Sequence, residues 1–295
     1  MMRHWLTGFS LLFLASQGFA APTKTPRLRA EIVSIPSGNE AGSRSLSITA
    51  WWIKADDKGK ESPTIIALHG CGGLYSIIRG PKSEFTPRYI TMAKLLNREG
   101  YNVLFPDSFT ARGKSSVCRD TQREQRAGSL ARRFDVQAAM RWLAKQKEVD
   151  TSRIALIGWS QGASTVLATL NEADTPKMAV QPAAAVAFYP ECRDYLGTNA
   201  PYRNAAPLLI LMGEDDDWTP PQACTKLEQQ QSDKGSGITL HLYPDSHHNF
   251  DAPGLPILVR MDVDGASKGV TMGSNTDAGS AAYNDLLAFL KEKMR

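Results

Sequence analysis

The chain carries little surplus charge of either sign. In its 295 residues, 34 Lys and Arg stand against 30 Asp and Glu, a formal net charge of +4. The basic residues are spread out rather than clustered, which argues against nucleic acid as a partner. Cysteine is scarce: four residues, Cys71, Cys118, Cys192 and Cys224, whose spacing fits no zinc motif. Histidine is almost as scarce at five, so any histidine-dependent chemistry has few candidates to draw on. Internal repeats, low-complexity segments and linkers are all missing, which leaves one domain as the simplest organisation. Beyond the first twenty residues, no segment is long and apolar enough to cross a membrane. Hydrophobic residues still make up 42% of the chain, so a sizeable core is possible.

The first twenty residues differ from the rest. Met1-Met2-Arg3-His4 is a short positive start, Trp5 to Ala15 is almost wholly apolar, and Gly18-Phe19-Ala20 places small residues at the −3 and −1 positions of a cleavage site before Ala21. This pattern predicts a secretory signal peptide over residues 1–20, with residues 21–295 forming the folded domain. The expected location is periplasmic or secreted, with no stable membrane insertion after cleavage.

Short apolar runs alternate with longer amphipathic stretches. PTIIALHG (63–70), YNVLFPD (101–107), RIALIGW (153–159), AAAVAFYP (183–190), PLLILMG (207–213) and ITLHLYP (238–244) read as strands. Most are apolar on consecutive residues, as strands buried on both faces of a parallel sheet should be. RLRAEIVSIP and SRSLSITAWWI, upstream, alternate more and suit an antiparallel edge. Helices are expected over about 122–147, where Leu130, Phe134, Ala138 and Trp142 form a stripe, and over 88–98, 161–171, 221–231 and 280–293. The Gly-, Ser- and Asp-rich residues 262–280 read as a long surface loop. The alternating order predicts an α/β fold with a doubly wound, mostly parallel sheet.

Within this pattern, Gly158-Trp159-Ser160-Gln161-Gly162 stands between a strand and a helix rich in small residues. That is the context of a nucleophile elbow, with Ser160 pushed into a cleft. A serine hydroxyl is a poor nucleophile at neutral pH; it needs a base, usually histidine, and an acid to orient that base. LMGEDDDWTP (211–220) follows one strand and offers Asp215, Asp216 and Asp217, while YPDSHHNFDAPG (243–254) follows the last strand and offers His247 and His248. Acyl chemistry also needs donors for an oxyanion. The backbone N–H of Gln161 follows the nucleophile. His69-Gly70-Cys71-Gly72-Gly73 resembles the His-Gly-Gly-Gly oxyanion segment of esterases, with Cys71 N–H as first choice and Gly72 second. His69 reads as structural. Arg112, in PDSFTARGKSSVC, suits either a substrate carboxylate or its own loop.

HGCGG, PDSFTARG, GWSQGAS, GEDDDWTP and SHHNF, in this order, resemble the dienelactone hydrolase family of the α/β-hydrolase superfamily, over roughly residues 45–293. The resemblance implies hydrolysis of a small-molecule ester or lactone without metal or organic cofactor. It also implies Ser160, Asp216 and His248 as the triad, with Asp215 and Asp217 as rivals at the acid turn. Founding members of the family carry a cysteine where this chain has Ser160, and they act in the cytoplasm. The reading is therefore an exported serine hydrolase that works through an acyl-enzyme. The alternatives are an acyltransferase or peptidase on the same triad and, in another class, a non-catalytic binding protein on the same scaffold.

An even cysteine count in an exported chain suggests two disulfides. Cys192 follows the strand AAVAFYP, and Cys224 lies at the start of the helix after PLLIL. Neighbouring strands would bring the two together, so a Cys192–Cys224 bridge is expected. The same reasoning makes Cys71–Cys118 a second candidate.

Overall fold

A computed structural model describes residues 30–37, 46–55, 60–75, 85–173, 175, 178–197, 200–232 and 237–295. The expected leader, residues 1–20, lies outside them. The chain runs through β1 (Ala30–Ser37), β2 (Leu46–Ile53), β3 (Ser62–Leu68), α1 (Pro87–Arg98), β4 (Asn102–Asp107), α2 (Gln122–Leu143), β5 (Val149–Trp159) and α3 (Gln161–Leu170). It continues through β6 (Ala184–Phe188), β7 (Leu208–Gly213), α4 (Pro221–Ser232), β8 (Ile238–Tyr243), β9 (Leu258–Arg260), β10 (Val270–Met272) and α5 (Thr276–Lys293).

Eight strands form one sheet in the order β1-β2-β4-β3-β5-β6-β7-β8. The alternating segments β1 and β2 make an antiparallel edge, and β2 joins β4 antiparallel. From β4 to β8 every pairing is parallel. This is the doubly wound, mostly parallel sheet of an α/β-hydrolase fold, in a single domain. β4, β6 and β7 are buried at every residue, which is why their sequences are apolar without alternation. β8, at the edge, is half-exposed. The chain leaves β3 for β4 on one side and returns to β5 on the other. The crevice at the carboxyl ends of β3 and β5 is thus the switch point where α/β folds place ligands.

Helix α2 differs from the expected one in its buried face. Leu130, Phe134 and Trp142 are only half-buried, whereas Ser129, Arg132, Asp135, Val136, Ala139, Met140 and Leu143 are buried. Two charged residues face inward because each finds a partner there. Arg132 donates to Gln161 Oε1 at 2.8 Å, and Asp135 accepts from Ser37 Oγ at 2.5 Å and from Arg112. A polar inward face is invisible to an apolar-stripe reading. The helix begins at a capping box, Thr121 Oγ1 accepting from Glu124 N and Glu124 Oε2 accepting from Thr121 N. It ends at Leu143 rather than Lys147, in tighter turns in which Lys145 N donates to Trp142 O and Gln146 N to Leu143 O.

Residues 262–280 are not one long loop. β10 pairs antiparallel with β9 as a small separate hairpin, and α5 already starts at Thr276, with the Asn275 side chain accepting from Ala278 N. The three-residue strands are too short to give a sequence period, and exposed Ile257, Val259 and Met261 give no burial signal.

Both disulfides are formed. Cys71–Cys118 has a Cα separation of 4.8 Å and Cys192–Cys224 one of 5.1 Å. β6 and β7 are neighbours in the sheet, so the loop after β6 meets the first turns of α4. The second bridge spans 32 residues of chain that include all of β7 and the acid turn. Replacing Cys192 and Cys224 together with serine is expected to destabilise the protein by roughly 2–4 kcal/mol, read as a lower urea midpoint at unchanged slope. An unchanged midpoint would contradict this.

Candidate active site

Ser160 caps α3 in a backbone conformation that side chains rarely adopt, φ 51° and ψ −119°. Such a residue costs on the order of 1–3 kcal/mol of strain and persists only where its surroundings impose it. Here Ser160 N–H donates to Phe188 O on β6 at 2.9 Å, while its carbonyl accepts from Ser164 N at 2.9 Å. The flanking glycines do not supply the turn's positive φ; Ser160 does. Their role is close approach. A Cβ on Gly158 would lie 2.4 Å from Gly162 O, and one on Gly162 would lie 2.2 Å from Leu68 O. Only glycine at these positions lets α3 sit directly on the carboxyl ends of β3 and β5.

The elbow points Ser160 Oγ at His248, whose Nε2 is 3.0 Å away. On the other side of the ring, His248 Nδ1 is 2.8 Å from Asp216 Oδ2. His248 and Asp216 are both buried, at 1% and 2% exposure. Asp216 is fixed in turn: its Oδ1 accepts from Trp218 N at 3.0 Å and Thr219 N at 2.8 Å, and its Oδ2 accepts from Thr219 Oγ1 at 3.0 Å. The His248 ring lies between Tyr189, with centroids 4.5 Å apart, and Trp218, at 4.8 Å. The serine, the imidazole and one carboxylate are thereby aligned for a proton to pass from Oγ to Nε2 while the carboxylate holds Nδ1–H.

The rivals lie elsewhere. Asp215 is exposed, and its carbonyl contacts His247 Nδ1 at 3.0 Å. The Asp217 carboxylate faces the hairpin, accepting from Thr271 N at 2.7 Å and Thr271 Oγ1 at 3.1 Å. His69 is buried with Nδ1 2.9 Å from Gly70 O, and its Nε2 accepts from Ser108 N at 3.3 Å. Burial, aided by the Arg132 charge, pushes its proton affinity well below the usual imidazole range. Arg112 ties its own loop to α2 through two bonds to the Asp135 carboxylate, each 2.9 Å, and one to Ser108 O.

In the segment after β3, Gly70 N–H donates to Tyr89 Oη and Gly73 N–H to Gly70 O. The N–H groups of Cys71 and Gly72 have no acceptor among the described residues. Gln161 N–H is the first of its helix and so has no intrahelical partner. Three backbone donors in the segments after β3 and β5 are therefore left without an acceptor among the described residues. The Cys71–Cys118 bridge and the bond from Val117 N to Cys71 O at 2.8 Å hold this segment against the loop after β4.

Sequence reasoning missed several residues that shape the site. Thr219 completes the cradle of Asp216, and nothing in the sequence distinguishes it. Arg132 holds the Gln161 side chain and lies 5.2 Å over the Phe109 ring; burial lowers its proton affinity to about 10, and its Nε and Nη2 have no hydrogen-bond partner among the described residues. The cleft in front of Ser160, about 470 Å³, is bordered by Gln122, Gln125, Arg126 and Ser129 of α2, by Glu191, Arg193 and Asp194 after β6, and by residues 263–270 of the hairpin. It is thus a largely polar cleft, and the segment read as a surface loop forms one of its walls.

Comparison with known proteins agrees with this architecture. A protein described as a dienelactone hydrolase from Klebsiella pneumoniae subsp. pneumoniae MGH 78578 superposes with a TM-score of 0.63 at 18% identity, over 90% of this chain and 99% of its own. A dienelactone hydrolase-like promiscuous phosphotriesterase from metagenomic libraries gives 0.62 at 16% identity, over 90% and 99%. An acylaminoacyl peptidase from Pyrococcus horikoshii gives 0.63 at 15% identity, over 92% of this chain but 42% of that one. At these identities the likeness is one of fold. No curated protein matches the chain by sequence. The model of the dienelactone hydrolase family matches residues 56–294, a span that runs from β3 through the elbow, the acid turn and the histidine loop to α5, and the chain therefore belongs to the dienelactone hydrolase family.

Proposed function

We propose that the protein is a serine hydrolase that cleaves a carboxylic ester or lactone through an acyl-enzyme. The observation that carries this reading is the unbroken line from Ser160 Oγ through His248 to Asp216, at 3.0 and 2.8 Å. Ser160 Oγ attacks the carbonyl carbon as His248 Nε2 takes its proton. The oxyanion is received by the N–H groups of Cys71 and Gln161. The imidazolium then gives the proton to the leaving alcohol. Water attacks the acyl-enzyme by the same route in reverse and frees the acid and Ser160. Asp216 keeps the imidazole in the tautomer that carries hydrogen on Nδ1.

Residues 1–20 are part of the same proposal, as a leader that takes residues 21–295 to the periplasm or the exterior. Two disulfides and no free cysteine among the described residues support an oxidising compartment.

The polar walls of the cleft favour short acyl groups. In a graded p-nitrophenyl ester series, kcat/KM is expected to peak at acetate or butyrate and to gain nothing from longer chains. An apolar acyl pocket would instead improve each added methylene by the usual increment of about 0.8 kcal/mol. A tenfold rise from butyrate to decanoate would contradict the short-chain reading. Hydrolysis of peptides but of no ester would contradict the esterase reading itself.

A further inference from the structure

A second carboxylate lies behind the site, and the proposed reaction does not use it. Asp251 is three residues past His248, with a fully buried side chain. Its Oδ2 accepts from Trp159 Nε1 at 2.8 Å, and Trp159 immediately precedes Ser160. Its Oδ1 accepts from the Tyr189 hydroxyl, and the Tyr189 ring is packed against His248. Arg88 of α1 brings its Nε to 3.4 Å from Oδ1. The same guanidinium donates from Nη2 to Asn249 Oδ1 at 2.7 Å. Asn249 follows His248 directly and takes a positive φ of 65°; Tyr189, at 42°, does the same. Tyr283 of α5 closes the cluster by donating to Asp251 O at 3.0 Å.

Two contacts of this carboxylate therefore end on residues that adjoin the serine, Trp159, or pack on the imidazole, Tyr189, and its counter-ion Arg88 bonds Asn249, the residue after the imidazole. The elbow belongs to β5 and the imidazole to the loop after β8, and no backbone ladder joins them. Asp251 joins them by side chains, in an interior where a paired, fully bonded charge is rigid and an unpaired one is costly. Arg88 is its counter-ion. Burial works against the guanidinium's charge, and Asp251, together with Tyr189, Tyr89 and Tyr283, outweighs it and raises the proton affinity above the usual value.

We propose that Asp251, with Arg88 as its counter-ion, is a positioning residue that locks the base loop to the nucleophile strand and holds the charge behind His248 neutral. This rests on the triad reading of Ser160, Asp216 and His248. The groups facing His248 are Asp216, Thr219 and Trp218 after β7, Ser160 at the elbow and Tyr189 after β6. Asp251, Arg88 and Tyr283 form the layer behind Tyr189. Removing the Asp251 charge leaves a buried cation in that layer, and a cation disfavours the imidazolium.

The test is kcat, KM and the pH profile of p-nitrophenyl acetate hydrolysis in three variants. Asp251→Asn keeps the shape and removes the charge. It is expected to lower kcat at least tenfold with KM within twofold, and to move the acid limb of kcat/KM to lower pH by about one unit. Asp251→Asn combined with Arg88→Met removes both charges and is expected to return the acid limb to its wild-type position while kcat stays low. Tyr189→Phe deletes one bond and no charge, so kcat should fall several-fold with no displacement of the limb. It carries the test if the charge variants do not fold, and wild-type kcat in Tyr189→Phe would then overturn the proposal. Wild-type kcat and an unmoved acid limb in folded Asp251→Asn would overturn it as well. Fluorophosphonate labelling separates this failure from that of the triad reading: Asp251→Asn remains labelled in either case, whereas labelling of Ser160→Ala at the wild-type rate would reject the triad.

Discussion

Ser160→Ala is expected to abolish ester turnover and fluorophosphonate labelling while leaving the fold intact. The hydroxyl's partner is His248 Nε2, at 3.0 Å, so its removal takes away the nucleophile and leaves one imidazole nitrogen without its partner. The backbone at Ser160 is held by its N–H bond to Phe188 O and its carbonyl bond from Ser164 N. Neither depends on the side chain, and alanine tolerates the positive φ no worse than serine. Loss of one triad member typically costs on the order of 10⁴ or more in kcat. Stability should change by less than about 1 kcal/mol. Steady-state kinetics, active-site labelling and urea melts on one preparation measure all three quantities. Turnover within tenfold of wild type in a folded variant would reject an acyl-enzyme on Ser160.

Asp216→Asn should be nearly as damaging, for an electrostatic rather than a covalent reason. The Asp216 Oδ1 atom accepts from Trp218 N and Thr219 N, and its Oδ2 faces His248 Nδ1. An asparagine keeps the first two bonds by placing its carbonyl oxygen at the Oδ1 position. Its amide nitrogen then meets Nδ1 as a donor, which forces the imidazole proton onto Nε2. In that tautomer Nε2 cannot accept the serine proton. A loss in kcat on the order of 10⁴ is expected with KM little changed. Asp215→Asn and Asp217→Asn should each cost less than about tenfold. The first lies in an exposed turn, and the second loosens only the tie to Thr271. Comparing kcat across the three asparagine variants decides the matter. Asp217→Asn as the most damaging of them would mean that the hairpin, not the Asp216 cradle, orients the base.

The sheet was legible because of where its strands lie. β4, β6 and β7 are covered on both faces, so selection for burial leaves unbroken apolar runs whose ends are marked by Gly, Asp and Pro. Ser160 and the three aspartates could be listed because each follows such a run closely, and the two histidines, which follow the half-exposed edge strand β8, because the chain has only five histidines. The inward face of α2 was misread for the converse reason. Arg132 and Asp135 are buried only because Gln161, Ser37 and Arg112 reach them, and a partner distant in sequence leaves no periodic trace. The hairpin of β9 and β10 escaped notice because its strands are short and its apolar residues face outward.

By itself, then, the sequence determined the α/β class, the strand-elbow-helix setting of Ser160 and the short set of acids and bases that could serve it, since these follow from local patterns of burial and turn chemistry. Tertiary structure alone decided that Asp216 and not Asp217 faces the imidazole, that Thr219 cradles Asp216, that Asp251 pairs with Arg88 behind Tyr189, and that residues 263–270 wall the cleft. Each of these is a contact between segments far apart in the chain. The order in which strands join the sheet and the direction of each side chain in its loop set such contacts, and neither quantity is written in any one segment.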